Sequence, residues 1–204
     1  MHAAETLIAE LRHYVADERV LDAVAAVRRD LFVPADLRDR AYENSALSIG
    51  CGQTISQPLV VARMTEMLDP QPSDRVLDIG TGSGYHAAVL AKLARHVWSI
   101  ERHARLSRRA AQSLTEAGID NVTLIVGDET RGLPDETPFD IINVAAAGSA
   151  EALSELESQL APGGRLVAPV SGEQQRLVVT TRMGDRLERK LFEEVRFVPL
   201  VRDR

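Results

Sequence analysis

The segment from Arg75 to Glu101, RVLDIGTGSGYHAAVLAKLARHVWSIE, constrains the fold more than any other part of the chain. It begins with an apolar run at 76–79, which is typical of a short buried strand and is followed by glycine. An amphipathic helix is predicted at 85–95, and a second strand at 96–100. A strand, a glycine turn, a helix and a strand that ends in an acid together form the first half of a nucleotide-binding α/β sheet.

The glycine turn and the acid that follows it predict a nucleotide site. Gly80, Gly82 and Gly84 let the backbone come close to a ligand, because a Cβ there would clash. Glu101 lies 21 positions after Gly80, at the end of the neighbouring strand. A carboxylate at that point can accept hydrogen bonds from both hydroxyls of a ribose.

The spacing of the turn favours S-adenosylmethionine over a dinucleotide. It reads D-x-G-x-G-x-G from Asp78 to Gly84, whereas dinucleotide-binding proteins carry G-x-G-x-x-G. S-adenosylmethionine has a sulfonium and an ammonium group and no pyrophosphate, so an acid near the turn attracts it. The segment resembles motif I of the Rossmann-like methyltransferases. A glycine turn that binds no ligand is the alternative interpretation.

The rest of the chain predicts a Rossmann-like, doubly wound α/β fold with a mostly parallel sheet. Two amphipathic helices, at 3–16 and 18–29, form an N-terminal helical extension. The remaining sequence alternates between strands and helices and ends in an antiparallel hairpin. The elements predicted after Glu101 are a helix at 103–117, a strand at 122–126, a strand at 139–144, a helix at 150–160, a strand at 165–169 and the hairpin strands at 175–183 and 187–199.

Length and composition predict one globular domain over residues 1–204. The position of the glycine turn divides it into an extension and candidate substrate loop at 1–57 and a cofactor-binding core at 58–204. The chain is 45% hydrophobic and 26% charged, as soluble proteins are. Its net charge of −6, without a basic block, argues against a nucleic-acid partner. The single cysteine suits a reducing compartment, and no apolar run approaches the ~20 residues of a membrane span. We therefore expect a cytoplasmic protein with no membrane contact; its oligomeric state stays open, with a monomer as the default.

Residues 35–57 show no sustained period, and an irregular segment of this length in a compact domain is typically functional. It ends in Thr54-Ile55-Ser56-Gln57-Pro58, which introduces a helix predicted at 59–68. Ser56 is a candidate N-cap, and proline suits the first turn of a helix. Capping explains Ser56 and Pro58 without any catalysis, but it does not explain Thr54.

Four segments carry a second resemblance: YENSALSIGCGQTISQPLVVARMTEML at 42–68, motif I, Phe-Val-Pro at 32–34 and Arg-Phe-Val-Pro-Leu at 196–200. Through them the chain resembles the protein-L-isoaspartate O-methyltransferase family over almost its whole length. The TISQP segment is the specific part, because many methyltransferases share motif I. The resemblance implies methyl transfer from S-adenosyl-L-methionine, which becomes S-adenosyl-L-homocysteine, to the α-carboxylate of L-isoaspartyl residues in proteins and peptides. The methyl ester then starts repair through a succinimide.

The resemblance also implies which residues form the site. Ser56 would orient the substrate carboxylate, with Thr54, Ile55 and Gln57 shaping the peptide site. No general base is expected, because a carboxylate is already ionised at neutral pH. Asp128 sits where such enzymes place an acid or an amide near the adenine amino group; a turn aspartate is the alternative. The residues expected to hold the cofactor are Asp78, Gly80, Thr81, Gly82, Ser83, Glu101 and Asp128.

Five positions depart from the family pattern, and two other functions stay open, of which the non-catalytic one is supported only by the departures at Cys51 and Glu129. One is a methyltransferase of the same fold that acts on an ordinary aspartate of a dedicated peptide; the other is a non-catalytic module that binds the nucleotide or a partner. The histidines show no metal-ligand spacing, so no metal is expected. The departures are Asn44 for aspartate, Cys51 for an aromatic residue, His86 for glutamine, Glu129 for glycine and Gly148 for proline.

Overall fold

The computed structural model describes residues 2–201, which contain one large sheet, one small hairpin and six α-helices. The helices are α1 (His2–Leu11), α2 (Glu18–Ala26), α3 (Pro58–Leu68), α4 (Tyr85–Ala91), α5 (Ala104–Glu116) and α6 (Ala150–Glu157). The strands are β1 (Leu47–Gly50), β2 (Gln53–Ile55), β3 (Arg75–Ile79), β4 (His96–Glu101), β5 (Val122–Val126), β6 (Phe139–Val144), β7 (Leu160–Val170), β8 (Arg176–Met183) and β9 (Arg186–Glu194).

The large sheet has seven strands in the order β5-β4-β3-β6-β7-β8-β9. The five strands from β5 to β7 are parallel, while β8 and β9 run antiparallel as a terminal hairpin. The predicted doubly wound, mostly parallel α/β fold is therefore confirmed. The chain passes from β3 to β4 on one side and reaches β6 on the other, so the strand order reverses at β3. In open α/β sheets, ligands bind at this reversal, beyond the carboxyl ends of the strands.

The glycine-turn helix is the most buried helix of the fold, since all seven residues of α4 are buried. It ends at Ala91, four residues before the predicted end. The side-chain amide of Asn121 donates hydrogen bonds to the carbonyls of Ala91, Ala94 and Arg95, at 2.9, 3.3 and 3.4 Å. A side chain that lies about 30 positions away thus provides hydrogen bonds to the carbonyl groups at the end of the helix. Local periodicity does not predict such a contact.

The two N-terminal helices are shorter than predicted. After α1, the carboxylate of Glu66 accepts the backbone amides of Ala16 and Asp17, at 2.6 and 3.0 Å. Asp17 then caps α2 by accepting the amide of Arg19. The second helix ends at Ala26 because Val27 is extended, and a separate 3₁₀ turn, Arg29–Phe32, follows. The apolar faces of both helices belong to the main core of the protein.

The segment 35–57 has more regular structure than the sequence predicted. It contains a 3₁₀ turn, Ala35–Arg40, and the antiparallel β1–β2 hairpin. The hairpin turns through Gly50, Cys51 and Gly52, all with positive φ, at 92°, 54° and 71°. Strands of three and four residues are too short for alternation to reveal, which explains why the prediction missed them.

The C-terminal hairpin of the large sheet ends earlier than predicted. Strand β9 stops at Glu194, and the chain beyond it leaves the sheet instead of continuing as a strand to Pro199. Helix α6 also ends early, at Glu157, because β7 already begins at Leu160. Within residues 2–201, every helix is too short or too polar to cross a membrane.

Candidate active site

A cavity of about 700 Å³ lies at the carboxyl ends of β3, β4 and β6. Its walls are the hairpin and helix junction at 51–57, the glycine turn at 80–83 and the C-terminal segment 194–199. The volume falls within the roughly 300–1,000 Å³ of typical small-molecule sites. The cavity therefore joins the two segments that the sequence singled out, TISQ and the glycine turn, in one site.

The path of the glycine turn is set by its backbone and by β4. The amides of Gly80 and Thr81 both donate to the carbonyl of Ile100, at 2.9 and 3.1 Å. Gly84 has a φ of 86°, and a Cβ added there would lie 3.1 Å from the Cβ of Ala110. Only glycine meets both conditions without strain. The turn residues 80–83, which the sequence predicted to hold the cofactor, line the cavity.

Glu101 is held in the cavity wall by two backbone amides. Its side chain is 3% exposed; Oε2 accepts the amide of Gly82 and Oε1 accepts the amide of His103, both at 2.8 Å. A carboxylate has about four acceptor positions, so two remain for other donors. Glu101 is thus oriented in advance and retains the capacity that a ribose diol requires.

The structure places Asp78 beneath the cavity and not in its wall, which corrects the expected direct contact with the ligand. Its side chain is 1% exposed, and burial raises its pKa. Oδ2 accepts the hydroxyl of Ser99 at 2.6 Å, and Oδ1 accepts the amide of Asn143 at 2.7 Å. The hydroxyl of Thr81 lies 2.6 Å from that of Ser99, so Asp78 supports the turn through two hydroxyls.

His86 continues the same buried network towards α3. Its Nδ1 lies 3.1 Å from Nδ2 of Asn143, which can only donate, so the proton is assigned to Nε2. Nε2 lies 3.1 Å from the hydroxyl of Thr65, which in turn donates to the carbonyl of Val61. Burial lowers the pKa of His86 to about 3. The ring is therefore neutral near pH 7 and is not tuned to act as a base there.

Ser56 lies in the cavity wall without serving as the helix cap that was predicted. The cap residue of α3 is Gln57, and its side chain makes no capping bond. Oδ1 of Asn44 instead accepts the amide of Leu59 at 3.1 Å, so a distant side chain caps this helix. Thr54, Ile55, Ser56 and Gln57 all line the cavity. The capping interpretation of Ser56 is therefore wrong, since neither Ser56 nor the side chain of Gln57 caps α3.

The acid after β5 that lines the cavity is Glu129 and not Asp128. Oδ1 of Asp128 accepts the amide and the hydroxyl of Thr130, at 2.9 and 2.7 Å, which is the turn role considered as the alternative. Glu129 is 6% exposed, and its Oε1 accepts the amide of Arg102 at 3.2 Å. The placement of Asp128 gives no support to a direct contact with adenine.

Sequence reasoning missed the C-terminal wall of the cavity. Backbone bonds join this segment to the loop after β6: Ala147 donates to Val198, and Leu200 donates to Ala147, at 2.7 and 2.8 Å. The side chain of Gln175 accepts the amide of Phe197 at 2.7 Å. The signal available in the sequence was the change from the charged strand 186–194 to the apolar segment 197–201.

Of the five departures from the family pattern, three reach the cavity. Cys51, His86 and Glu129 line it. Asn44 caps α3 instead, and Gly148 pairs with Val170 beside β7. Within the described residues, no group of three or more His, Cys, Asp or Glu side chains is placed to hold a metal ion.

Comparison with known families gives one consistent match. Residues 2–204 match the family model described as Protein-L-isoaspartate(D-aspartate) O-methyltransferase (PCMT). The chain is 50% identical over 192 residues to the protein-L-isoaspartate O-methyltransferase of Roseiflexus castenholzii, covering 94% of this chain and 88% of the relative. It is 52% identical over 194 residues to the enzyme of the same name from Halorhodospira halophila, covering 93% and 87%.

Solved structures give the same match. A protein-L-isoaspartate O-methyltransferase superposes with a TM-score of 0.86 at 27% identity, over 96% of this chain and 65% of the other. A Plasmodium falciparum beta-aspartate methyltransferase (PCMT), in complex with S-adenosyl-L-homocysteine, superposes with a TM-score of 0.84 at 25% identity, over 97% and 98%. The fold thus resembles that of solved structures that carry the name of this family.

Proposed function

The chain belongs to the protein-L-isoaspartate(D-aspartate) O-methyltransferase family, and we propose that it carries out the reaction in the cavity between Ser56 and Glu101. The enzyme transfers a methyl group from S-adenosylmethionine to the α-carboxylate of L-isoaspartyl residues in damaged proteins. The methyl ester then loses methanol to a backbone amide and gives a succinimide, which reopens partly to normal aspartate.

The placement of two segments around one cavity carries this proposal. The TISQ segment comes from the β2–α3 junction, and Glu101 ends β4, yet both line the same space of about 700 Å³. Transfer between two bound molecules requires the reacting atoms to touch, so both sites must share one cavity. Holding reactants in this way is worth about 7–11 kcal/mol of the barrier.

The cofactor half of the site is formed by the glycine turn and Glu101. S-adenosylmethionine, when bound, supplies an electrophilic methyl group. Glu101 accepts the ribose hydroxyls through its remaining lone pairs, and Gly80 and Gly82, which have no Cβ, leave room for the ligand against the backbone. Asp78 contributes indirectly, because its bonds to Ser99 and Asn143 hold β3 and the turn in place.

The substrate half of the site requires hydrogen-bond donors but no general base. An α-carboxyl group has a pKa of about 3.3–3.7, so it is ionised at neutral pH and already nucleophilic. The hydroxyls of Ser56 and Thr54 can donate to one carboxylate oxygen and direct the other towards the methyl group. A hydroxyl orients the carboxylate without transferring a proton to it.

The C-terminal segment forms the remaining wall. Val195, Phe197 and Val198 line the cavity with apolar groups, and two backbone bonds to Ala147 hold the segment there. An apolar wall excludes water from the transfer and strengthens the polar contacts of the site.

Methanol release from an isoaspartyl peptide, compared with its aspartyl twin, tests the function. We expect methylation and methanol release with the isoaspartyl peptide only. Methylation of the aspartyl twin would indicate an enzyme for ordinary aspartate, and no methylation of either peptide would indicate a non-catalytic module.

The proposed function implies that the partners are damaged proteins and peptides with exposed isoaspartyl residues. Nucleic acid is not expected to bind, because the net charge is −6. Cys51 is an exposed free thiol, and such a group suits a reducing compartment such as the cytoplasm. Fractionation of cells with an antibody to the protein would test this location.

A further inference from the structure

Arg29 is a positive charge buried behind the substrate half of the cavity. It is 0% exposed and heads the fully buried side chains of the described residues by volume. Its guanidinium carbon lies 4.7 Å from the ring centroid of Tyr85, which lines the cavity. Burial lowers the pKa of Arg29 to about 10, so the group stays charged at neutral pH.

The guanidinium binds backbone carbonyls of the segment 35–57, on the side away from the cavity. Its Nε donates to the carbonyl of Ala41, and its Nη2 donates to the carbonyl of Ser56, both at 2.8 Å. A longer bond, 3.4 Å, joins Nη2 to the carbonyl of Ser45. One side chain thus connects Ala41 and Ser45 to Ser56, the residue assigned to the substrate carboxylate.

The charge of Arg29 is not neutralised by a carboxylate within residues 2–201. The groups that oppose the effect of burial on its pKa are Tyr85 and Tyr42. The adjacent acid, Asp30, is bound by Arg28 and by the hydroxyl of Tyr42. Nη1 of Arg29 has no hydrogen-bond partner in the described residues. A buried charge without a counter-ion is costly, and its field reaches further than in water because the interior screens it weakly.

We propose that Arg29 is a positioning residue that makes the cavity select an anion. This inference rests on the proposed function: the substrate carries an α-carboxylate, whereas the methyl ester product is neutral at the same position. The positive potential behind Ser56 favours binding of the substrate and not of the ester, so the product leaves once the charge is gone. Because Arg29 contacts the carbonyl of Ser56 and does not line the cavity, both carboxylate oxygens remain accessible for contact and attack.

Calorimetry with two matched peptides tests this selection. One peptide carries the isoaspartyl α-carboxylate, the other the neutral α-carboxamide, and both are titrated in saturating S-adenosylhomocysteine. We expect the wild-type protein to bind the carboxylate peptide about tenfold or more tightly than the carboxamide peptide. In Arg29→Met this ratio of the two dissociation constants should fall to about threefold or less. Arg29→Lys should keep most of the ratio but lose turnover, because an ammonium cannot reproduce the planar fork. Arg28→Met is the control, since that neighbouring side chain is 68% exposed.

Two results would overturn the inference. One is a folded Arg29→Met protein, shown by normal binding of S-adenosylhomocysteine, that keeps the wild-type ratio. The other is equal binding of the two peptides by the wild-type protein, which requires no variant to fold. A wild-type protein that selects the carboxylate peptide but does not methylate it would overturn the proposed function and leave the selection intact.

Discussion

The amide of Gly82 donates a 2.8 Å hydrogen bond to Oε2 of Glu101, so the glycine turn and the acid that ends the next strand form one unit. The bond crosses from the turn after β3 to the end of β4, whose residues pair in parallel register. A cofactor that contacts both groups therefore meets a site whose geometry is set before it binds.

Glu101→Ala is expected to raise the dissociation constant of S-adenosylmethionine tenfold or more. Hydrogen bonds to a charged acceptor contribute about 1.5–3 kcal/mol each, and two ribose bonds disappear. Calorimetry measures the change, with Glu173→Ala as the control because Glu173 is exposed on the β7–β8 loop. Unchanged affinity in Glu101→Ala would remove Glu101 from the ribose role.

Ser56→Ala and Ser56→Gly are both expected to lower the single-turnover rate about tenfold or more, equivalent to ~1.4 kcal/mol in the barrier. Both should unfold at nearly the wild-type denaturant concentration, because the Ser56 side chain does not cap α3. Cofactor affinity should also stay the same. If either variant keeps the wild-type rate, Ser56 does not orient the carboxylate.

Asn44→Ala should instead lower stability, because Asn44 accepts the amide of Leu59 at the start of α3. Loss of a helix cap costs about 0.5–2 kcal/mol. Urea unfolding of Asn44→Ala beside the two Ser56 variants checks the assignment. A larger loss of stability in Ser56→Ala than in Asn44→Ala would return the cap to Ser56.

The single-turnover rate is expected to be nearly flat from about pH 6 to 8, since the carboxylate is ionised throughout this range. His86 does not titrate there, because burial lowers its pKa to about 3. His86→Gln should leave the profile flat as well. A limb near neutrality that disappears in His86→Gln would show that the ring acts as a base.

Because His86 is buried in its neutral form, the free energy of unfolding is expected to fall in acid. Its pKa is lower in the folded state than the ordinary value of 6.5, so the unfolded chain binds more protons below that pH. Its contribution is fully present above pH 6.5 and falls by up to about 1.4 kcal/mol per pH unit towards pH 3. Urea unfolding of wild type and His86→Gln from pH 7 to 4 measures it, and equal slopes for the two proteins would contradict the prediction.

Gly84→Ala should destabilise the fold more than Gly163→Ala does. Both glycines have positive φ, 86° and 82°, so alanine meets backbone strain of about 1–3 kcal/mol at either position. Only at Gly84 would the new methyl also press against Ala110, because nothing lies within 4 Å of a Cβ at Gly163. If thermal unfolding shows the same loss of stability in Gly84→Ala and Gly163→Ala, α5 moves away from the new methyl group without an energetic cost.

The local pattern of residues 75–101 was sufficient to predict the strand, the turn, the acid at the end of the next strand and the parallel fold around them. Apolar runs and glycine positions determine local structure within a few residues, so they predict strands and turns without knowledge of tertiary contacts. The position of TISQP before a helix was readable in the same way, but its role in the site was identified through the resemblance to the protein-L-isoaspartate O-methyltransferase family. Both cavity segments were therefore identified from the sequence.

Tertiary packing alone decided which polar groups face the cavity. Asp78 turns to Ser99 and Asn143, which lie on neighbouring strands, while Glu129 reaches the cavity in place of Asp128. The capping of α3 by Asn44 and the C-terminal wall likewise depend on residues far apart in the chain. A buried polar group must find a partner, and which partner lies within 3 Å is set by how the strands and helices pack and not by neighbours in sequence.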